Sequence, residues 1–157
     1  MRRLSPLVLG PLAMIVASCS GDTTTVDPGT LTSIVVRAAS LTSGFGCGTG
    51  DAQVYKYAVY VTPPDPNVQL PVSSLSDCFA DATFTGLTGA STGVTPFKLE
   101  IFAFRASDFQ KDESAITTAS SLGDSATLKA KASWQTTCTA AQQSSVTVLA
   151  VCQNPLR

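Results

Sequence analysis

From Leu31 onward the chain runs as short apolar segments separated by Gly, Pro, Asp and Ser. The clearest covers residues 53–62, "QVYKYAVYVT", with Tyr55, Tyr57, Val59 and Val61 on one face and Val54, Lys56, Ala58 and Tyr60 on the other. That period of two predicts a β-strand. Residues 31–38 place Ile34, Val36 and Ala38 on one face, and residues 82–87, "ATFTGL", read as another strand. In 97–106, Phe97, Leu99, Ile101 and Ala103 alternate with Lys98, Glu100, Phe102 and Phe104. Both faces of its second half are apolar, which predicts a central strand. The four prolines of 63–71, "PPDPNVQLP", lack the ladder donor and predict a stiff surface connection. Residues 125–138 and 144–152 read as the last two strands, with a hairpin across Thr139–Gln143.

One segment interrupts this pattern. Ser107-Asp108-Phe109-Gln110 has capping-box spacing, Phe109, Ile116, Ala119 and Leu122 recur near helical intervals, and Gly123 is a stop signal, so 107–123 is a short helix or a long loop. About seven short strands with turn signals between them predict an all-β fold, an immunoglobulin-like antiparallel β-sandwich with room for one short helix. Ser and Thr together supply 38 of the 157 residues, consistent with strands and turns.

Residues 1–18 stand apart. A cationic Met1-Arg2-Arg3 precedes "LSPLVLGPLAMIVAS", which at 15 residues is shorter than the roughly 20 a spanning helix needs. This reads as a signal peptide. Its end, Val16-Ala17-Ser18-Cys19, resembles the bacterial lipobox. That resemblance implies cleavage between Ser18 and Cys19, a diacylglycerol on the Cys19 thiol and, with the neutral Ser20 behind it, sorting to the outer membrane. An ordinary secretory signal is the alternative, and a twin-arginine export signal lacks its flanking residues. Residues 19–30 then form the lipidated Cys and a polar linker suited to a flexible tether, and 31–157 a single domain. The expected location is the cell envelope, with the domain outside the cytoplasm and a membrane contact through Cys19.

With Cys19 assigned to lipid, Cys47, Cys78, Cys138 and Cys152 remain, and an even number in an oxidising compartment predicts two disulfides. Three pairings are open to the sequence. Cys47 with Cys78 and Cys138 with Cys152 is favoured, because each pair brackets one local supersecondary unit. The stretch "FTGLTGASTGVTPFKLEIFAF" (84–104) is similar to fibronectin type III and transthyretin-like domains, where a Gly-Leu turn precedes an alternating strand. The likeness covers 21 residues and implies that Leu87 caps the core and Phe97 sits where those families often place Tyr. Two disulfides and a late Trp134 depart from it. The lipobox, "CGTGDAQVYKYAVYV", "DCFADATF" and the closing "TC…VCQNPL" also look like small lipoproteins of Gram-negative bacteria, a likeness that supplies no activity.

Composition narrows the chemistry further. The chain has 10 Lys+Arg and 11 Asp+Glu, and losing Arg2 and Arg3 with residues 1–18 leaves 8 basic against 11 acidic side chains, which argues against a nucleic-acid-binding surface. There is no histidine, so the commonest general base and the usual zinc ligand sets are missing. Gly89-Ala90-Ser91-Thr92-Gly93 matches G-x-S-x-G but lacks a His and is followed by Pro96. Ser125 and Lys129 miss the S-x-x-K spacing, and "GFGCGTGD" (44–51) lacks the Lys-Ser/Thr of a phosphate loop. The acidic groups Asp77/Asp81 and Asp108/Asp112/Glu113 match no calcium loop, and sugar binding has only Trp134 and one of three tyrosines to offer.

The sequence therefore predicts no catalytic residue, no metal and no cofactor. It predicts a non-enzymatic binding or structural module for an envelope protein or polysaccharide. A calcium- or carbohydrate-binding lipoprotein is the alternative, and a small hydrolase a more distant one. Three connections are long enough to meet a partner: 63–69, 88–96 and 107–123. The third is favoured, with Phe109 as an apolar anchor beside Asp112 and Glu113. The competing expectation is that Phe109 and Ile116 cover one edge of the sandwich.

Overall fold

The computed structural model describes residues 31–42, 45–89, 95–142, 147–152 and 156–157. The expected signal peptide, Cys19 and the expected linker, and Ser91 lie outside the described residues. Among the described residues eight strands form two sheets, accompanied by three helices: β1 (Leu31–Val36), α1 (Ala38–Leu41), β2 (Lys56–Thr62), β3 (Val72–Asp77), β4 (Ala82–Thr88), β5 (Phe97–Phe104), α2 (Ala106–Leu122), α3 (Ser125–Lys131), β6 (Trp134–Ala140), β7 (Thr147–Leu149) and β8 (Val151–Cys152). The smaller sheet has the order β4-β1-β7 and the larger β3-β2-β5-β6-β8. Among the described residues no helix is long and apolar enough to cross a membrane.

Strand alternation builds two cores from one sheet. The face of the larger sheet carrying Tyr57, Val59, Val61, Leu99 and Ile101 shares a buried cluster with Ile34, Val36, Phe84 and Leu87 of the smaller sheet. The other face carries Ala58, Phe102 and Phe104, which pack against Phe109, Ile116 and Ala119 of α2 and Leu128 of α3. β5 is the middle strand of five, as its doubly apolar second half requires. β4 is irregular where its register with β1 shifts between Thr32 and Ile34. There Gly86 adopts φ 70°, a left-handed backbone that favours glycine.

Four expectations are corrected. First, the chain is β-rich rather than all-β, because two helices cover half of one sheet face. Second, residues 125–131 are helical. Their Ala, Leu and Lys residues are good helix formers, the Asp124 side chain accepts from the Thr127 N–H at 3.1 Å as an N-cap, and Lys129 and Lys131 lie in the last turn. Third, α2 begins at Ala106 after Arg105, so Ser107 is inside the helix and no side chain caps it; Gly123 does end it, at φ 69°. Fourth, of the expected strand 144–152 the described part, 147–152, is two short strands in different sheets. β7 joins the small sheet parallel to β1, which breaks the expected antiparallel pattern, and β8 returns to pair with β6. β3, a serine-rich edge strand, was not anticipated from the sequence.

Candidate functional site

The glycines of 46–50 shape a turn. Gly48 N–H donates to the Val54 carbonyl and Val54 N–H to the Gly46 carbonyl, each at 3.0 Å, with Gly46 at φ 67°. This brings Cys47 to Cys78, with Cα atoms 5.6 Å apart, while Cys138 and Cys152 face each other across β6 and β8 at 4.0 Å. All four cysteines of the described residues are therefore in disulfides. Next to Cys78, Phe79 projects with 82% of its surface exposed.

The favoured contact segment is assembled differently from its sequence reading. Phe109 is only 3% exposed and lies edge-on to Tyr55 at 5.7 Å and Phe104 at 6.1 Å, so it is core and not a surface anchor. Ile116 is buried with it, as the competing expectation had it. Asp112 pairs with Lys131 at 3.0 Å and ties α2 to α3; Glu113 is exposed. Asp108 accepts from the Ser133 hydroxyl and from Arg105 Nε, both at 2.7 Å. The Ser133 hydroxyl, more than Arg105, holds the Asp108 carboxyl below its ordinary range.

The remaining sequence candidates are also occupied. Asp77 pairs with Lys56 at 2.5 Å, and Asp81 accepts the Ala38 N–H at the start of α1 at 3.0 Å. Trp134 stacks at a tilt on Phe45, ring centroids 4.8 Å apart, with the Arg105 guanidinium over it, so its ring is not an open platform for a sugar. Burial pushes the Tyr57 hydroxyl up to about 12, and the neutral hydroxyl donates to the Ala80 carbonyl at 2.6 Å. Among the described residues no three metal-ligating side chains converge.

A different surface is open. Along β5 the face that buries Phe102 and Phe104 continues into Lys98 and Glu100, which the helices do not cover. Thr62 and Thr139 flank Lys98 on the neighbouring strands, and Tyr60 and Thr137 flank Glu100. Two adjoining cavities of about 310 and 360 Å³ meet there, sharing Glu100 and Thr137; Lys129 and Arg157 line the first and Lys98 the second. Among the described residues none of these four charges has an ion-pair partner. Charged groups of both signs and a row of hydroxyls on a rigid strand suit hydrogen bonding to a polar ligand. The sequence hint was the change from Lys98-Glu100 to Phe102-Phe104 on one face, which marks where the helical cover stops.

No family model matches the chain, and no curated protein or solved structure does.

Proposed function

We propose that this chain is a lipid-anchored, non-enzymatic binding module of a bacterial cell envelope, held at the outer membrane through Cys19. One observation carries the reading. The four cysteines of the domain are consumed as Cys47–Cys78 and Cys138–Cys152, so the fifth, Cys19, is left without a partner in its own domain and stands directly after the small residues Ala17-Ser18. Two disulfides suit an oxidising compartment, and a thiol at that position suits lipid attachment. The core shared by the two sheets supports reading them as an immunoglobulin-like sandwich, with α2 and α3 inserted between β5 and β6. The open strip of Lys98, Glu100, Thr137 and Thr139 is the surface offered to a protein or polysaccharide partner.

Mass spectrometry of the membrane fraction tests the anchor. The mature protein should begin at a lipid-modified Cys19, and Cys19→Ser should move it to the soluble fraction. A mature terminus elsewhere, or a membrane-bound Cys19→Ser variant, rejects the reading. Crosslinking in living cells tests the strip: Lys98→Glu with Glu100→Lys should change the captured partners, and an unchanged profile removes that surface.

A further inference from the structure

The strand directions gather several pieces of chain at one end of the domain. β1 starts there, Leu31 lying opposite Thr88 at the end of β4. Thr88 N–H donates to the Gln69 side chain at 2.6 Å, which draws the 63–71 connection to the same end. β2 leaves at Thr62 and β3 enters at Val72. α2 runs down to meet them, since the Ser73 hydroxyl donates to the Ser120 carbonyl and Gly123 sits against Pro71 and Tyr60.

This end is unusually apolar for a surface. Val68, Leu70 and Leu122 are 56%, 77% and 77% exposed, three of the six large hydrophobic side chains exposed among the described residues. Val68 is presented by a held turn: the Asp65 carboxylate accepts the Asn67 N–H at 2.9 Å, and the Asp65 carbonyl accepts from Val68 and Gln69 at 3.2 and 3.3 Å. Prolines 63, 64, 66 and 71 stiffen the same connection, so it loses little freedom on contact. Formal charge at this end is small, Lys98 standing against Asp65 and Asp124.

The chain outside the structure supplies the occupant. Residues 20–30 join Cys19 to Leu31 and span at most about 40 Å when fully extended, so the end bearing Leu31 always stays within that reach of the bilayer, whereas the far end can stand a domain's length further away. A tethered surface meets its target at high effective concentration, and a few apolar side chains then suffice. We infer that this end is the membrane-facing surface of the domain, with Val68, Leu70 and Leu122 seated in the interfacial layer of the bilayer that anchors Cys19. The inference rests on the lipid-anchor reading. Because this end carries no net positive charge, contact gains nothing from anionic lipid.

The test uses the full lipidated protein in vesicles of phosphatidylethanolamine and phosphatidylglycerol, and in vesicles of phosphatidylcholine alone. In a Trp134→Phe background, Leu70→Trp and Leu122→Trp report the near end and Phe79→Trp the far one. Brominated lipid should quench the first two several-fold more than the third, to a similar extent in both vesicle types. Amide hydrogen exchange on the unsubstituted protein should slow over residues 63–71 on vesicles relative to the soluble Cys19→Ser form. Equal quenching at all three positions, with unchanged exchange and with lipid present on Cys19 by mass, overturns this orientation and leaves the anchor standing. A Cys19 free of lipid overturns both.

Discussion

The Ser133 hydroxyl donates to the Asp108 carboxylate and in turn accepts the Arg105 N–H at 3.0 Å, which fastens the first turn of α2 to the residue leading into β6. Asp108 is charged at neutral pH and held below its ordinary range by that hydroxyl. Its contribution to stability is therefore complete above the ordinary carboxylate range, near pH 4, and is lost as the pH falls through the lower folded value. Ser133→Ala should cost about 1 kcal/mol or less at neutral pH, since the site is partly exposed. Asp108→Asn should flatten the acid limb of a urea-midpoint profile against pH. An acid limb unchanged in Asp108→Asn contradicts this.

Tyr57 gives the opposite limb. Burial favours its neutral form, so its contribution is complete below an ordinary phenol value of about 10 and declines as pH rises toward about 12. Tyr57→Phe should lose the hydrogen bond to Ala80, worth roughly 1 kcal/mol. It should also show a shallower alkaline decline in thermal melting than the unsubstituted chain.

The helical cover makes the two halves of one strand face unequal. Phe102→Ala opens a cavity beneath α2 and α3 and should cost about 3–5 kcal/mol. Lys98→Ala, on the same face beyond the cover, should fall within about 0.5 kcal/mol of the unsubstituted chain. Paired denaturant titrations check both, and similar losses at the two positions would contradict the division of the face.

Disulfide removal should scale with loop length. The bridges close separations of 31 and 14 residues. The chain-entropy estimate is about 3.7 kcal/mol for the longer and about 3 kcal/mol for the shorter. Cys47→Ser with Cys78→Ser should therefore lower the melting temperature more than Cys138→Ser with Cys152→Ser, as differential scanning calorimetry would show.

β2 and β5 were legible because burial on defined faces imposes alternation, and the doubly apolar end of β5 announced its central place. α3 was not. Leu128 and Ala130 alternate with Lys129 and Lys131 as a strand would, yet Leu128 alone is buried, and the Asp124 cap decides the conformation. β3 was hidden by its serines: VSSLSD is an edge strand of intermediate burial, with Ser73 spent on a hydrogen bond to α2 instead of on an apolar pattern. Phe109 admits two readings from the sequence, an exposed anchor beside charged residues or a cover for one edge of the sandwich, and only the sheet beneath it decides for the second. The open strip follows the same logic. Lys98 and Glu100 are visible in the sequence, but their exposure depends on where two helices stop.

β1 lies between β4, antiparallel to it, and β7, parallel to it, and begins at Leu31. The hydrogen bonds on both sides run across the strand axis. A pull on Leu31 directed along β1, with the rest of the domain held at the opposite end, would load both ladders in shear. Many bonds then share the force together, where a peeling load would break them singly. The placement makes the smaller sheet a mechanical clamp against tension applied at Leu31.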